Sequence, residues 1–592
     1  MLKLDKLNKL ERLKRLKKNT VSFFENGRNF YIILFAAMLV KNFPFGFRYF
    51  LYSDDYNAYG VYSLWNENLW HNVIVPFNIY GYRPLAGIVD VYIISRLWEN
   101  LQFVLLAIVI MHFATIYLLD ALFKKSNIIW GRAAAVFFGF YPTLTESAYW
   151  ISASSRIVPA AFFGVAAVFA MLKFVYKEGR HWLWFTAAVI CGLLAQGFYE
   201  QGIVFTLVLS VGILITHRKA VKHKILFAWP FINLAVIGTH YYIFRDVGWF
   251  GVRAQTAEYS LFRQISTVTD RIITTFIEEQ RPTLTNSLRW GIAQLFTEHL
   301  PLALLVTAFT LLLALFIAFD KSPEVGFKFK VKTKNPDGAT EAADEADETE
   351  GQTEIKRETE AETEMVGIVT DKKTAYSLLT AFVLTVCTFA VFFVLADSWI
   401  WVRNFFYAVI GLSMFAEIAS RCIRVSKHRI LGLGVKMTAA FIVTFIFFCG
   451  FILETDSLRL VEKYDNIIVS NLIAEVERLG LEDADADTIW FFGLRWTYAP
   501  KINPRIASQI RLDWAIHGHY SALSRRYSNR RIIPVMNGDS ANVDFERDVL
   551  IGLDGDLNAR ELAFGGHYLT FADTGVIFGS INLEENGRFR QY

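Results

Sequence analysis

Long apolar runs recur along most of this 592-residue chain, and they constrain its fold more than any other feature. A transmembrane helix needs about 20 mostly apolar residues to cross a hydrocarbon core about 30 Å thick. Many runs here approach that length, 54% of the residues are hydrophobic, and the mean hydropathy is positive. A soluble chain of this length would be more polar. The sequence therefore predicts a mainly α-helical, polytopic membrane protein.

Eleven candidate transmembrane spans can be placed along the chain. They cover approximately residues 31–50, 101–123, 133–141, 158–175, 182–198, 202–216, 225–244, 300–319, 375–396, 405–419 and 437–453. If the spans alternate, the basic clusters of the short loops fall on the same side as the Lys-rich N-terminus, which makes that side cytoplasmic. Eleven crossings then place the C-terminus outside.

Changes in composition divide the chain into five parts. These are a basic amphipathic cytoplasmic helix (1–28), a first membrane module with outside loops at 51–100 and 245–299 (29–320), a disordered acidic cytoplasmic linker (321–373), three further transmembrane helices (374–453) and a small extracytoplasmic α/β or α+β domain (454–592). The linker is predicted to be disordered because its acidic stretch has almost no aromatic residues and cannot bury enough apolar surface to fold.

The charge and the cysteine content limit the classes of partner and the cellular location that can be expected for this chain. The formal net charge is only +4, and the Lys and Arg residues are spread over short loops, which argues against a nucleic-acid partner. The four cysteines lie in or beside apolar runs, and none lies in the polar C-terminal part. The lack of cysteine in the predicted extracytoplasmic domain favours a bacterial plasma membrane as the location of this multi-pass protein.

Polar and aromatic side chains collect at the predicted outside ends of the spans. An ionisable residue at that depth is costly and usually faces a cavity or another polar group. For any one residue, contact with water or headgroups is a sufficient explanation, but convergence from six segments favours a site. Its members are Asp54, Asp55, Tyr82, Arg83, Trp150, Arg156, Glu200, Gln201, Arg281, Asp397 and Arg403.

Asp54 and Asp55 are the acid–base candidates of this set. A carboxylate beside a cavity can deprotonate a hydroxyl group or hold a divalent cation next to a diphosphate. Adjacent aspartates also cap helices, and a helix can begin at residues 57–59, so both explanations stay open. Arg83 precedes Pro84, and a guanidinium on a stiffened turn suits a bidentate phosphate contact.

The order of these motifs resembles the GT-C superfamily of polytopic glycosyltransferases, which use polyprenyl-phosphate-linked sugars. The resemblance covers the membrane region and says little about the chain from residue 454 onward. It departs from the versions that carry an acidic residue after the arginine of the Trp-Ile-Ser turn, since Ile157 stands there. The motifs that carry it are Asp54-Asp55, Tyr82-Arg83-Pro84, Trp150-Ile151-Ser152 with Arg156, Glu200, and the stretch from Arg403 to Tyr407.

The resemblance implies a transferase that moves a sugar from a polyprenyl-phosphate carrier to a glycan, lipid or protein acceptor on the extracytoplasmic face, with inversion. Asp54 would be the base and Asp55 its neighbour or a metal ligand. A divalent cation, Mg²⁺ or Mn²⁺, is the one candidate cofactor, and the expected partners are donor, acceptor and membrane lipids. The residues expected to bind substrate are Tyr82, Arg83, Trp150, Arg156, Glu200 and Arg403.

Two other functions stay open. A transporter or flippase of lipid-linked glycans would line its path with the same charged groups, but it would also place ionisable residues near mid-membrane and contain inverted repeats. A membrane scaffold whose outside domain binds a partner would explain the C-terminal part but not the charged turns. The concentration of polar groups at one leaflet ranks the glycosyltransferase first.

Overall fold

A computed structural model provides the fold of the chain. It describes residues 21–51, 54–56, 83–142, 145–176, 179–217, 261–321, 328–333, 363–369, 372–393, 400–423, 429–480, 488–495, 497–499, 531–536, 543–582 and 588–591, together with positions 235, 239, 242, 516, 539 and 541. Within these ranges the chain is mainly helical and ends in a sheet domain.

The helices form two groups separated by a two-stranded sheet. The first group is α1 (Gly27–Asn42), α2 (Pro84–Val89), α3 (Leu101–Lys125), α4 (Arg132–Phe140), α5 (Ile151–Val175), α6 (His181–Phe198), α7 (Glu200–Thr216), α8 (Leu261–Asn286), α9 (Ile292–Glu298) and α10 (Leu300–Ala318). After β1 (Lys328–Thr333) and β2 (Thr363–Val369), which pair antiparallel, come α11 (Lys372–Cys387), α12 (Phe406–Cys422) and α13 (Arg429–Arg478).

Five helical stretches among the described residues are long and apolar enough to cross a membrane. They are Pro84–Lys125, Ile151–Val175, Leu300–Ala318, Val402–Cys422 and Leu431–Arg478. Two shorter apolar helices cover Trp182–Phe198 and Glu200–Thr216. The prediction of a mainly α-helical chain is confirmed, and these stretches support a membrane protein. The predicted span at 225–244 falls largely outside the described residues.

The structure differs from the predicted division of the chain in several places. Helices occupy 84–100 and 261–298, inside the two predicted outside loops. The first of these segments continues into α3 as one apolar stretch, Pro84–Lys125. The second contains α8, an amphipathic helix that does not stand out by average hydropathy. The predicted disordered linker forms β1 and β2 at its two ends, while its acidic stretch at 334–362 lies outside the described residues. Residues 1–20 of the predicted cytoplasmic helix also lie outside them.

The predicted domain boundary at residue 454 falls inside a helix. The 50-residue α13 runs through it unbroken and would be about 75 Å long, far more than a membrane requires. Beyond residue 454 the helix keeps buried apolar residues at three- and four-residue spacing: Leu458, Val461, Ile468, Leu472 and Val476. The hydropathy change therefore marks the end of the uniformly apolar part and not the end of the helix.

The short helix α4 has partners from distant segments at both ends. Nine residues give a helix of about 14 Å, which is shorter than the hydrocarbon core, so its terminal backbone groups need partners inside the protein. At its start, the N–H of Ala134 donates to Glu417 Oε2 at 3.1 Å. At its end, the fully buried Lys41 donates from Nζ to the carbonyl of Gly139 at 2.7 Å. These contacts hold α1 and α12 against α4.

The C-terminal domain contains one mixed seven-stranded sheet. Its strands are β3 (Thr488–Leu494), β4 (Arg531–Met536), β5 (Val549–Leu553), β6 (Ala559–Gly565), β7 (Tyr568–Phe571), β8 (Ile577–Asn582) and β9 (Arg588–Gln591), in the order β4-β3-β5-β6-β7-β8-β9. Strand β3 pairs parallel with β4 and β5, and the remaining strands pair antiparallel. A mixed sheet beside the end of α13 agrees with the α/β or α+β domain expected from the sequence.

Strand β3 is buried on both faces, and its sequence is continuously apolar. Ile489 and Phe491 face a core shared with the distal half of α13, whereas Trp490 and Phe492 face the core on the other side of the sheet. Tyr56, which directly follows the aspartate pair, belongs to the first of these cores and is 1% exposed. The sheet domain is thus packed against the segment that carries Asp54 and Asp55.

Candidate functional site

Two backbone N–H groups in the first turn of α5 donate hydrogen bonds to a distant segment of the chain. Trp150 is the N-cap residue, but its side chain does not cap the helix. Instead the N–H of Ile151 donates to the Tyr49 hydroxyl at 3.1 Å, and the N–H of Ser152 donates to Asp55 Oδ1 at 2.9 Å. The Tyr49 hydroxyl also donates to Asp55 Oδ2. Asp55 and Tyr49 together therefore replace the usual local N-cap of this helix.

The two adjacent aspartates have different surroundings. Asp55 is fully buried with both carboxylate oxygens engaged, and a carboxylate is stabilised at the positive end of a helix. Asp54 is only partly buried. The capping explanation thus holds for Asp55, and the helix that it caps is α5. Residues 57–59, where the sequence allows a helix to begin, lie outside the described residues.

Arg83 and Glu200 form a bidentate ion pair. Arg83 is the N-cap residue of α2, and Glu200 is the first residue of α7. Arg83 Nε lies 2.5 Å from Glu200 Oε2, and Nη2 donates to Oε1. The guanidinium also lies 4.3 Å from the ring centre of Tyr199, whose extended backbone separates α6 from α7. The predicted phosphate-binding arginine and the predicted substrate-binding glutamate therefore bind each other.

Arg156 pairs in the same way with Asp90, a residue that the sequence analysis did not single out. Its Nη2 and Nε lie 2.7 and 3.1 Å from Asp90 Oδ2. The Ser155 hydroxyl donates to Asp90 Oδ1 at 3.3 Å, and Asp90 is fully buried. Asp90 follows α2 directly, so this contact ties the segment of Arg83 to the first turns of α5.

Arg403 differs from the other two arginines. Its guanidinium lies 5.2 Å from the ring centre of Trp150, and its backbone N–H donates to Glu146 Oε2 at 3.3 Å. Within the described part of the chain, this guanidinium forms no ion pair with a carboxylate. The turn that carries it is held by Asn404, which donates from Nδ2 to the Tyr199 hydroxyl at 3.0 Å and accepts from the Trp401 N–H at 2.8 Å.

The structure thus brings most of the predicted site residues to one end of α5. Asp55, Trp150, Arg156 and Arg403 lie at its first two turns. The Arg83–Glu200 pair is linked to this group because Arg83 and Asp90 flank the same short helix α2, and Asp90 binds Arg156. Gln201 donates to the Asn404 carbonyl at 2.7 Å. Arg281 is instead exposed on α8, whereas Tyr82 and Asp397 lie outside the described residues.

Three contributing residues were missed by the sequence analysis. Asp90 interrupts an otherwise apolar run, and an isolated acid in such a run is a signal for a buried polar contact. Glu146 stands in the polar turn before Trp150, so its position carried a weaker signal. Tyr49 gave no signal, because a tyrosine at the end of an apolar run is ordinary.

Acidic residues of α13 also approach the aspartate segment. The N–H of Leu51 donates to Glu462 Oε1 at 3.3 Å. Burial raises the pKa of Tyr56 well above its ordinary value of 10, and the charges of Asp465, Glu462 and Asp55 raise it further. Tyr56 therefore stays neutral at physiological pH and packs in the core shared by α13 and β3.

The described residues do not match a divalent-cation site at the aspartate pair. Among them, no group of three or more His, Cys, Asp or Glu side chains is placed to hold a metal ion. Both oxygens of Asp55 are already hydrogen-bonded to Ser152 and Tyr49.

Comparison with protein-family models, with curated proteins and with solved structures found no match for this chain. The resemblance to the GT-C superfamily accordingly rests on the order of the motifs alone.

Proposed function

We propose that this chain is a GT-C-type glycosyltransferase that transfers a sugar from a polyprenyl-phosphate carrier to an acceptor hydroxyl. In this proposal the chain crosses a bacterial plasma membrane eleven times, and the first turn of α5 lies at the extracytoplasmic face. One observation carries the proposal. At this turn Asp55 is engaged as a helix cap, while Asp54 is partly exposed and the Arg403 guanidinium lies over Trp150 without a carboxylate partner among the described residues.

Asp54 is the better candidate for the base. A catalytic base has to reach the proton of the acceptor hydroxyl, and a partly exposed carboxylate can do so more easily than a buried one that already binds two donors. Asp55 then acts as a positioning residue, because its contacts with Ser152 and Tyr49 fix the backbone next to Asp54. The sequence order alone left this choice between the two aspartates open.

The reaction is a single displacement at the anomeric carbon. Asp54 takes the acceptor proton, the acceptor oxygen bonds to the anomeric carbon, and the bond from that carbon to the phosphate oxygen breaks. The leaving polyprenyl phosphate keeps the bonding electron pair and gains negative charge. A fixed guanidinium can stabilise such charge as it develops. Attack opposite the leaving group inverts the anomeric centre.

Arg403 is the best candidate for the phosphate contact. Arg83 and Arg156 are each bound to a carboxylate, and recruiting either to a phosphate would leave Glu200 or the buried Asp90 without its partner. Arg403 carries no such cost within the described residues. Arg83 and Arg156 then contribute by holding α2, α5 and α7 in place, together with Glu200.

The proposal is tested in proteoliposomes that contain radiolabelled polyprenyl-phosphate sugars and a membrane extract as the source of acceptors. Release of free polyprenyl phosphate reports transfer, whatever the acceptor. We expect Asp54→Asn to lower the rate by about 10²–10⁴-fold. We expect Arg403→Gln to lower it by about 10²–10³-fold. Asp573→Asn, at an exposed position of the sheet domain, is the matched control and should keep the parental rate.

Parental turnover by Asp54→Asn would rule out Asp54 as the base. The alternative function, a transporter or flippase, makes a different prediction in the same vesicles. It requires that a fluorescent lipid-linked glycan change leaflets in the presence of the protein while no polyprenyl phosphate is released. That outcome would replace the transferase proposal.

A further inference from the structure

Helix α8 exposes a stripe of large apolar side chains. Phe262 is 83% exposed, and Ile273 and Ile277 are 51% and 52% exposed. Ile265 and Phe276 extend the same set. With 3.6 residues per turn, these five positions fall within about one third of the helix circumference. An exposed apolar stripe of this kind usually marks a contact with a membrane or a partner.

The other faces of α8 show that the stripe is a distinct surface. Gln264 and Val268 are buried against the rest of the protein. Thr267, Asp270 and Arg271 are exposed and polar. The helix therefore has one face on the protein, one polar face and one exposed apolar face, as expected for a helix at a boundary between water and lipid.

The apolar stripe continues toward a candidate membrane-spanning helix. Leu288, in the π-helical turn after α8, and Phe296, on α9, are both exposed. Leu300 and Leu304 are exposed apolar residues of α10, the next helix along the chain, which is long and apolar enough to cross a membrane. Lipid covers the outer surface of a membrane-spanning helix, so lipid is also the natural occupant of the exposed apolar residues that precede α10 in the chain.

We propose that α8 is an interfacial helix that lies along one leaflet, with its apolar stripe inserted at the boundary between headgroups and acyl chains. Its polar face carries both charge signs, with Asp270 and Glu278 near Arg263 and Arg271 along the helix. Binding by apolar burial and not by a basic patch makes insertion independent of anionic lipid.

This arrangement has a consequence for the site. The Phe276 ring lies 5.7 Å from the ring of Phe405, and the Thr275 hydroxyl donates to the Ile400 carbonyl at 3.4 Å. A leaflet-bound α8 therefore packs directly on the turn that carries Arg403 and sets the depth of that turn at the membrane surface. The proposed lipid contact stands whether or not the protein is a transferase.

Spin labels on single cysteines test the proposal in the full chain, with the four native cysteines replaced and the protein in phosphatidylcholine nanodiscs. The labelled variants are Phe262→Cys, Ile273→Cys and Ile277→Cys, and the matched controls on the polar face are Thr267→Cys and Arg271→Cys. We expect the stripe labels to collide with oxygen and to be protected from a water-soluble nickel chelate. The control labels should show the reverse, and added anionic lipid should change neither pattern.

Two results would overturn the proposal. If the stripe labels are as accessible to the nickel chelate as the control labels, the stripe faces water. If they are protected from both oxygen and nickel and show dipolar broadening between labels, a second copy of the chain covers the stripe instead of lipid. Every labelled position is exposed on the helix surface, so the substitutions leave the protein core intact.

Discussion

Asp55 accepts a hydrogen bond from the backbone N–H of Ser152 at 2.9 Å, although the two residues are 97 positions apart in the chain. The first turn of a helix normally donates such a bond to the side chain of its own N-cap residue. Here Trp150 occupies the N-cap position, and its indole lies against Arg403. The remote cap thus leaves the local position to an aromatic residue, while it fixes the aspartate segment to the start of α5.

Replacing Asp55 by Ala should destabilise the fold, because the substitution removes an acceptor from buried donors. The loss expected for an unsatisfied buried donor is about 1–3 kcal/mol. The measurement is thermal unfolding in nanodiscs. Asp54→Ala, at the partly exposed neighbour, is the matched control and should cost less. Equal losses for the two variants would contradict the assigned division between the aspartates.

The Arg83–Glu200 pair should behave as a coupled unit. Arg83→Gln or Glu200→Gln alone leaves a partly buried charge without its partner, so each should destabilise the protein. The double variant should lose less than the sum, with a coupling energy of about 0.5–3 kcal/mol measured by thermal unfolding.

The control for this cycle is the Arg560–Asp573 pair, in which the two side chains are 38% and 58% exposed. An exposed pair of this kind should couple by only about 0.2–1 kcal/mol. Additive effects at Arg83 and Glu200 would show that their contact does not stabilise the fold.

Tyr56 should be needed to hold the sheet domain against the rest of the protein. Its side chain is buried among Ile468, Leu472 and the face of β3, so Tyr56→Ala leaves a large cavity and should cost about 3–5 kcal/mol. The measurement is the rate at which limited proteolysis releases the C-terminal domain, which should rise. Tyr568→Ala, at a 48%-exposed position of β7, is the control and should leave the rate unchanged.

Asp554 should make the turn between β5 and β6 sensitive to acid. Burial alone would raise the pKa of Asp554, but hydrogen bonds from the N–H groups of Asn558 and Asp556 and the charge of Arg560 outweigh it and lower the pKa below its ordinary value of 3.8. Because the folded-state pKa is depressed, this carboxylate stabilises the turn above the unfolded pKa, and the stabilisation is lost as the pH falls through the folded pKa.

Amide hydrogen exchange measures this effect when each rate is normalised to the intrinsic rate at the same pH. Protection of the turn should fall below about pH 4 in the parent. It should change less with pH in Asp554→Asn. Asp573→Asn alters the other aspartate that contacts Arg560 and should keep the pH dependence of the parent. An unchanged profile in Asp554→Asn would remove Asp554 as the cause.

Local sequence patterns predicted much of the helical architecture but few of the contacts between its helices. Uniformly apolar runs predicted α3, α5 and α10, because burial and membrane insertion both select apolar residues over a whole helix. The amphipathic α8 was missed, since a stripe on one face hardly changes the average hydropathy. The polar groups of the site were found from their positions at helix ends, but Asp90 and Tyr49 were not.

The sequence by itself determined that the chain is mainly helical and that charged groups stand at the ends of apolar runs. These properties depend on the residue types within one segment. Only the tertiary structure decided that Asp55 caps α5, that Arg83 binds Glu200, and that the Arg403 guanidinium lies over the Trp150 ring. Each of these contacts joins segments many residues apart, so it depends on how the helices pack and not on any pattern within one of them.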